Sequence, residues 1–381
     1  MLVVTYIQNM KELGLAKEHG VSEVIISPKG PSRFGTLKDS EVNELGRQAK
    51  EIGLKSVLEL DALLTEQELL NVDLKSYELS NFDALRVQDP GLLELVLHKT
   101  KLPVQLILEG GNHNLPGLME WRDYLGPRLD RMVLSIELPK DKLQEYKEAL
   151  SVPVEFLVLG RILLFYTPRN LLSAMLPEDD ELRTKPQITA VGESEESPHK
   201  GFPVLENNRG TFMFHIKHQF LMEHLSELQF LDAARVDLRF DSDFELIEKV
   251  KDVFNSKMSG KEFKEIYPFD VIKGFYKVNK SDVLFKKLKN SRIQRKDENY
   301  IGEVLEIKKG SHQAIRLKGR TGIQKGMKLL FIAPEGKEFS CPVVELKNTK
   351  LEDIEKTTDE GLVLMNYLGG VWVKSQVYIQ E

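Results

Sequence analysis

The sequence predicts an α/β fold in which a TIM-like (β/α) barrel is followed by a small antiparallel β-barrel. Three observations predict this fold. The chain has 381 residues, which is enough for two domains. Its first part alternates strand-length apolar runs with amphipathic stretches, and its last part consists of short strands separated by tight turns. The expected domains are the TIM-like barrel over 1–272, a basic linker over 273–298 and the small β-barrel over 299–381.

Eight runs in the first part have the length and composition of buried strands. They are LVVTYI (2–7), SEVIIS (22–27), LKSVLEL (54–60), DALRVQ (83–88), PVQLILE (103–109), RMVLS (131–135), VEFLVLG (154–160) and ARVDLRF (234–240). Stretches with apolar residues at helical spacing lie between them, such as PKDKLQEYKEALS. Eight βα units favour a closed barrel. An open doubly wound sheet is the alternative, but no Gly-rich phosphate loop follows any of the strands to favour it.

One segment of the barrel region lacks a strand or helix pattern. Residues 177–210 are polar, contain Pro and Gly, and show no hydrophobic periodicity. This composition indicates a long loop or a disordered insertion. The pattern of the barrel is therefore expected to be interrupted once.

Six short runs follow the predicted linker. They are YIGEVLEI, QAIRLK, MKLLFIA, EFSCPVVEL, GLVLMNY and GVWVKSQVYI. Turn residues such as PEGK and LGG separate the runs, which predicts a small antiparallel barrel. The single cysteine, Cys341, lies in the fourth run and is expected to be a buried, inert thiol. One cysteine excludes an internal disulfide, and it excludes a cysteine-built zinc or iron–sulfur site within one chain.

Basic residues are concentrated in one segment. From Lys273 to Lys328 there are sixteen Lys and Arg against five Asp and Glu, a local balance of +11 in a chain of net charge −6. This asymmetry favours contact with a polyanion, although a solvated lysine-rich linker has the same composition. The candidate nucleic-acid-binding residues are Lys277, Lys286, Lys287, Lys289, Arg292 and Arg295.

The sequence indicates neither membrane insertion nor secretion. No run reaches the roughly 18 uninterrupted apolar residues that a membrane helix requires. The first residues, MLVVTYIQNMKEL, lack the basic region and the cleavage site of a signal peptide. A cytoplasmic protein with no membrane partner is therefore expected. No metal site is expected either, because His215, His218 and His224 have no further ligands at a suitable spacing.

Polar residues follow several of the predicted strands, at the end where a (β/α) barrel carries its active site. They are Gln88, Asp89, Glu109, Asn112, Asn114, Ser135, Glu137, Arg161, Asp237 and Arg239. Carboxylates beside a guanidinium serve proton transfer or bind a carboxylate ligand. Asp and Asn after a strand also cap the following helix. The sequence leaves both interpretations open for each single residue.

Several segments resemble those of the collagenase-like peptidase family U32, whose members have a TIM-like barrel. NFDALRVQDPGLLELV is similar to the family's segment at the fourth strand, and RMVLSIELP to its Leu-Ser-Arg-Glu-Leu motif. VEFLVLG resembles Val-Glu-Leu-Phe-Val-His-Gly, ARVDLRF resembles Lys-Ile-Glu-Gly-Arg, and VIKGFYKVNKSD resembles a later Gly-Phe stretch. The likeness extends from the first strand to about residue 290. The last part, with its KGMKL turn, resembles the second-domain β-barrel of translation factors.

The resemblance implies a set of site residues and the loss of the family's iron–sulfur cluster. Many family members hold an iron–sulfur cluster through four cysteines. Two of those positions fall on Leu163 and Asn170 here, and the other pair should lie in 177–210, which contains no cysteine. The resemblance therefore implies that this chain holds no iron–sulfur cluster. The residues that keep the family's identity give the candidate catalytic residues, which are Asp89, Asn114, Glu137, Glu155, Tyr166 and Arg239.

The activities that the resemblance implies are of two kinds. The family's name records peptidase activity, and other members resemble oxygen-independent hydroxylases that act on tRNA, ribosomal RNA or ubiquinone precursors. The cluster ligands are missing, and the basic segment adjoins the part that resembles a translation-factor barrel. We therefore expect a cluster-free, RNA-associated derivative with tRNA or rRNA as its partner. A collagenase-like peptidase is one alternative. The other is a non-catalytic scaffold or partner subunit of a related hydroxylase.

Overall fold

The computed structural model describes residues 1–110, 114–193, 200–240, 243–277, 298–318, 321–334, 337–358 and 360–380. The chain divides into two compact units, Met1–Asp282 and Val283–Glu381. The boundary falls inside the predicted linker, most of which (278–297) lies outside the described residues.

The described part of the first unit contains fourteen strands. They are β1 (Leu2–Ile7), β2 (Glu23–Ile26), β3 (Lys55–Leu60), β4 (Ala84–Val87), β5 (Val104–Leu108), β6 (Leu129–Leu134), β7 (Val154–Gly160), β8 (Leu163–Thr167), β9 (Gln187–Glu193), β10 (Lys200–Asn207), β11 (Gly210–Phe214), β12 (His218–Phe220), β13 (Ala233–Val236) and β14 (Val271–Ile272). Its α-helices are α1 (Met10–Glu18), α2 (Asp39–Glu51), α3 (Glu66–Leu70), α4 (Pro90–Lys99), α5 (Leu115–Leu125), α6 (Lys140–Leu150), α7 (Leu246–Phe254) and α8 (Gly260–Ile266).

Eight parallel strands close into a barrel, as the sequence predicts. β1 to β7 pair in chain order, and β13 pairs with both β7 and β1. All seven residues of β7 are buried, which is typical of a parallel strand covered on both faces. α1 to α6 each follow the strand of the same number. The TIM-like fold predicted from the alternating pattern is confirmed.

The connection between β7 and β13 differs from the expected loop. β8, β11, β10 and β9 form a four-stranded antiparallel sheet in that order. The prediction that 177–210 is a long loop or disordered insertion is therefore wrong, because β9 and β10 lie within it. The physical reason is that β9 buries none of its side chains fully, so its apolar residues give only a weak periodic signal. Phe212 and Phe214 of β11 form the core of this insertion sheet.

The second unit contains one antiparallel sheet. Its strands are β15 (Tyr300–Lys308), β16 (His312–Lys318), β17 (Lys328–Ile332), β18 (Glu338–Pro342), β19 (Leu346–Lys347), β20 (Glu360–Asn366) and β21 (Gln376–Gln380). They pair in the order β18-β17-β21-β15-β16-β20-β19, around one hydrophobic core that includes Val304, Phe331 and Val377. All six predicted runs contain a strand. Two-residue β19 was not predicted, and in the described ranges the edge strands β18 and β19 do not pair with each other.

Two smaller predictions concern single features. Cys341 on β18 is a buried free thiol that belongs to the core of the second unit, as predicted. Within the described parts of the chain, no helix is both long and apolar enough to cross a membrane.

Candidate functional site

A cavity of about 550 Å³ opens at the mouth of the barrel, where the parallel strands end. Polar side chains that follow the strands line it, as the sequence predicts. These are Gln88, Glu109, Ser135, Glu137, Arg161, Asp237 and Arg239. Asn112 lies outside the described residues. The cavity is therefore built where the fold predicts the site, and we call it the mouth cavity.

Three of the six candidate catalytic residues line the mouth cavity, namely Glu137, Tyr166 and Arg239. The others lie elsewhere. Asp89 is the N-cap of α4 and accepts a hydrogen bond from the Leu92 backbone N–H at 2.8 Å. Asn114 caps α5 in the same way, with 2.8 Å from its Oδ1 to the Gly117 N. For these two residues the structure shows the capping role that the sequence left open.

Glu155 lies inside the barrel and does not line the mouth cavity. It is fully buried and accepts two hydrogen bonds from Arg86, at 3.0 and 2.6 Å, and one from Arg131 at 2.9 Å. Burial raises the pKa of Glu155, but the charges of Arg86, Arg131 and Arg235 lower it more, so that its pKa lies below the usual range. Arg131 also forms an ion pair with buried Glu23 at 2.9 Å. These contacts indicate a structural charge network beneath the site.

Arg239 lies at the floor of the mouth cavity and is held there by several contacts. Its guanidinium donates two hydrogen bonds to Asp237, at 3.0 and 2.8 Å, and lies 3.2 Å from the centre of the Tyr6 ring. The Tyr6 hydroxyl donates to Glu59 Oε1 at 3.0 Å. Burial raises the pKa of Asp237, but Arg239 lowers it more, and the net pKa lies below the usual range. Asp237 is therefore an ionised partner of Arg239 and not a general acid at neutral pH.

The other cavity arginines on this floor are paired with carboxylates. Arg33 Nε donates to Asp61 at 2.7 Å, and the Arg33 backbone N–H donates to the same carboxylate at 2.8 Å. Arg235 forms an ion pair with Glu109 and lies 3.7 Å from Glu155. Because Glu109 is held in this way, and Asp237 by Arg239, neither is presented as a free acid or base. The polar floor is charge-balanced rather than acidic.

Aromatic side chains form one wall of the mouth cavity. The Arg161 guanidinium lies 5.3 Å from the Phe214 ring centre and 5.5 Å from that of Phe240. Tyr166 stacks on Phe212 at 4.7 Å, and its hydroxyl donates to the Arg209 carbonyl at 3.0 Å. Burial raises the pKa of Tyr166. The insertion sheet supplies Tyr166 and Phe214 of this wall, whereas Arg161 lies between β7 and β8 and Phe240 follows β13.

Sequence reasoning missed several residues of the mouth cavity. Tyr6 lies near the end of β1, at the same edge of the barrel as the polar residues that follow the other strands. Arg33 and Phe34 lie in the long connection between β2 and α2, where no periodic signal marks them. Phe214 reaches the cavity only because β11 pairs with β8. Their contribution depends on tertiary contacts.

The donor chemistry of the site does not fit an iron–sulfur cluster. Leu163, at one cysteine position of the resembling family, lines the mouth cavity with an aliphatic side chain. The only thiol is that of Cys341, in the other unit. The described residues also contain no group of three or more His, Cys, Asp or Glu that could hold a metal ion. The cavity offers arginines, amides, carboxylates and aromatic rings instead.

The closed parallel barrel and its mouth cavity define a TIM-barrel protein with a site at the carboxyl ends of its strands. The sequence model of peptidase family U32 matches residues 8–260, which is more than half of the chain. The chain belongs to peptidase family U32. A search of curated proteins found no match.

Three of the solved structures that match the chain are the following. The U32 peptidase Mk0906 is 16% identical over 42% of this chain and 70% of its own, with a TM-score of 0.35. The C-terminal domain of a Geobacillus thermoleovorans protein described as a U32 peptidase is 14% identical, over 25% of this chain and 99% of that domain, with a TM-score of 0.20. N-(5'-phosphoribosyl)anthranilate isomerase from Pyrococcus furiosus is 10% identical over 67% of this chain and 99% of its own, with a TM-score of 0.36.

Proposed function

We propose that this chain is a cluster-free, RNA-associated member of family U32 whose mouth cavity takes a nucleobase. The observation that carries the proposal is the wall on which the Arg161 guanidinium lies against Phe214 and Phe240. Aromatic rings and guanidinium planes are the surfaces on which proteins stack unpaired bases. The volume of about 550 Å³ is within the usual range for small-ligand sites.

Hydrogen-bonding groups in the same cavity support a base rather than a purely apolar ligand. The Gln88 Oε1 atom is buried and has no hydrogen-bond partner among the described residues. A buried amide oxygen without a partner is costly, and Gln88 lines the cavity that the base would occupy. Ser135 and Glu137 line the same cavity and add further donor and acceptor atoms.

The basic segment of the sequence supports the same proposal. Of its candidate RNA contacts, Lys286, Lys287, Lys289, Arg292 and Arg295 lie outside the described residues. Lys277 is described, and its ammonium forms an ion pair with Glu227 at 2.8 Å. The remaining cations of the segment would contact phosphates, with strong salt dependence.

The peptidase alternative has less support from the geometry. Two cavity carboxylates, Glu109 and Asp237, are paired with arginines, so they do not form an acid–base pair. The Ser135 hydroxyl accepts the Glu137 backbone N–H at 3.3 Å. No described His or Lys side chain lines the cavity to activate a serine. A partner subunit without catalytic activity remains the alternative for the same binding site.

RNA binding by the purified full-length protein tests the proposal. We expect affinity for single-stranded RNA that falls steeply with salt, measured by filter binding over a salt series. Changing Lys286, Lys287 and Lys289 to Gln should lower the log–log salt slope by roughly 2, about 0.7 for each phosphate contact. Phe165→Ala should cost about 1–3 kcal/mol of binding free energy, because a base loses a stacking surface.

Phe165 suits this test because it lines the cavity and is 45% exposed, so its removal leaves the core intact. Leu70→Ala is the matched control, since Leu70 is 80% exposed and does not line the cavity. Salt-independent binding, or none, would overturn the RNA proposal. Equal binding by the Phe165 and Leu70 variants would remove the mouth cavity from it.

A further inference from the structure

A second cavity lies between α4 and α5. It has a volume of about 380 Å³ and is lined by Pro90, Glu94, Glu120, Trp121 and Tyr124. Pro90 and Trp121 also line the mouth cavity, so the two cavities adjoin. We call this second cavity the helix groove. Nothing in the proposed RNA site uses Glu94, Glu120 or Tyr124.

The periodicity of α5 builds the helix groove. Glu120 and Trp121 lie four and three residues before Tyr124, so the three side chains share one face of the helix. The Trp121 and Tyr124 rings are edge to face, with 6.1 Å between their centres. The Tyr124 hydroxyl donates a hydrogen bond to Glu94 of α4 and so joins the two helices. Tyr124 is nevertheless 57% exposed.

Two aromatic rings and two carboxylates together favour a cation. A ring face attracts an ammonium group, and carboxylates supply its counter-charge. Glu120 is exposed and has no ion-pair or hydrogen-bond partner within the described parts of the chain. The nearby cation Arg122 is engaged by Asp123 at 2.7 Å. His98, 75% exposed, lies 3.7 Å from Glu94 and supplies positive charge only when protonated.

We propose that the helix groove binds an alkylammonium group, in the form of a lysine side chain presented by a partner polypeptide. The apolar stem of the lysine would lie along Pro90 and the Trp121 ring, and its ammonium would lie between Glu94 and Glu120. A phosphate is disfavoured, because both carboxylates would repel it. A neutral apolar chain would cover the carboxylates without pairing them. The occupant therefore differs from the RNA proposed for the mouth cavity.

Trp121 gives a direct readout of this site. The chain has two tryptophans, so full-length protein carrying Trp372→Phe reports on Trp121 alone. The probe is Nα-acetyl-lysine methylamide, and the corresponding norleucine compound is its neutral control with a similar stem. We expect a saturable change in Trp121 fluorescence with the lysine compound that is absent with norleucine.

Substitutions in the helix groove test the chemistry. Glu120→Gln and Glu94→Gln should each weaken binding of the lysine compound about threefold, as expected for an exposed charge pair. Tyr124→Leu should weaken it by a similar factor, roughly that of a surface cation–π contact. Glu18→Gln is the control for loss of one charge, because Glu18 lies on α1 and does not line the groove.

Three outcomes would overturn the proposal. They are equal binding of the norleucine compound, unchanged lysine affinity in the Glu94→Gln, Glu120→Gln double variant, and no saturable change in Trp121 fluorescence. The two glutamate variants keep side-chain size at partly or fully exposed positions, so they should fold. The result is independent of RNA binding, because the probe carries no nucleic acid.

Discussion

At the scale of one residue, the candidate catalytic residue Glu155 lies in a buried charge network. Its carboxylate is fully buried and contacts Arg86 and Arg131 by hydrogen bonds, with Arg235 3.7 Å away. Glu155→Gln leaves these buried guanidinium groups with one negative charge fewer. Because an uncompensated buried charge is costly, we expect the free energy of unfolding to fall by about 3–5 kcal/mol in urea denaturation.

The matched control for this variant is Glu18→Gln, on the exposed end of α1. It removes the same charge and should change the free energy of unfolding by no more than about 0.5 kcal/mol. If the two variants were equally stable, the charge network inside the barrel would not hold the fold. A folded Glu155 variant that had lost RNA binding alone would restore Glu155 as a functional residue.

A second residue-scale prediction concerns pH. His218 is buried, stacks on Phe269 at 4.4 Å and contacts the Tyr267 hydroxyl at 2.8 Å. Burial, with the charge of Arg161, lowers its pKa from 6.5 to about 4. A lowered pKa means that the fold favours neutral His218. This stability is fully present above pH 6.5 and is lost as pH falls towards 4.

Replacing His218 with Phe keeps the ring and removes the titration. We therefore expect the free energy of unfolding of His218→Phe to depend less on pH between about 6.5 and 4 than that of the unchanged protein. Urea denaturation at several pH values measures this slope. Parallel curves for the two proteins would show that His218 does not carry the effect.

The sequence predicts some residues of the site well and others not at all. Glu137 and Arg239 are found because strand ends meet at one edge of a barrel. Asp89 also follows a strand, but the structure shows it as the N-cap of α4. An Asp before Pro fits both a polar residue at a strand end and the start of a helix, so the sequence does not distinguish the two. Arg33 and Phe34 approach the cavity from a connection without periodicity. No local signal could place them.

At the scale of elements, a capping residue can be tested separately for its effect on stability and on RNA binding. Asn114 is the N-cap of α5, the helix that carries Trp121 and Tyr124. Asn114→Ala removes the acceptor of the Gly117 N–H and should lower the free energy of unfolding by about 1 kcal/mol. RNA affinity should be unchanged, because Asn114 does not line the mouth cavity. Asn114→Asp keeps the acceptor, so this control variant should retain the stability of the unchanged protein. If Asn114→Ala lost RNA affinity while its free energy of unfolding stayed the same, Asn114 would again be a candidate catalytic residue.

The insertion sheet shows why elements differ in how well the sequence predicts them. β7 is buried at every position and reads as a continuous apolar run. β9 alternates between exposed and half-buried residues. Its sequence therefore shows neither a continuous apolar run nor a strong alternation of apolar and polar residues. Its polar neighbours in 177–186 then dominate any sequence window. The strands of the insertion are stabilised mainly by their pairing and by Phe212 and Phe214, which lie outside that window.

At the scale of the whole molecule, each of the two units has its own core. The barrel of the first unit is closed by β13, and the second unit packs Val304, Ile315, Phe331 and other residues into a separate cluster. A unit the size of Val283–Glu381 can bury enough apolar surface to fold alone. We therefore expect the fragments 1–282 and 283–381, expressed separately, each to unfold cooperatively in urea. Circular dichroism of each fragment measures this.

The Glu155→Gln substitution provides a second test of whether the two units fold independently. Its contacts with Arg86, Arg131 and Arg235 all belong to the first unit, so the loss of about 3–5 kcal/mol should be found in fragment 1–282. In the full chain the substitution should lower one unfolding transition and leave the transition of the second unit where it was. If fragment 283–381 were unfolded by itself, or if the substitution shifted both transitions equally, the units would fold as one. If the fragments fold independently, the proposed RNA binding can be tested in each of them over the same salt series, which assigns it to the barrel or to the β unit.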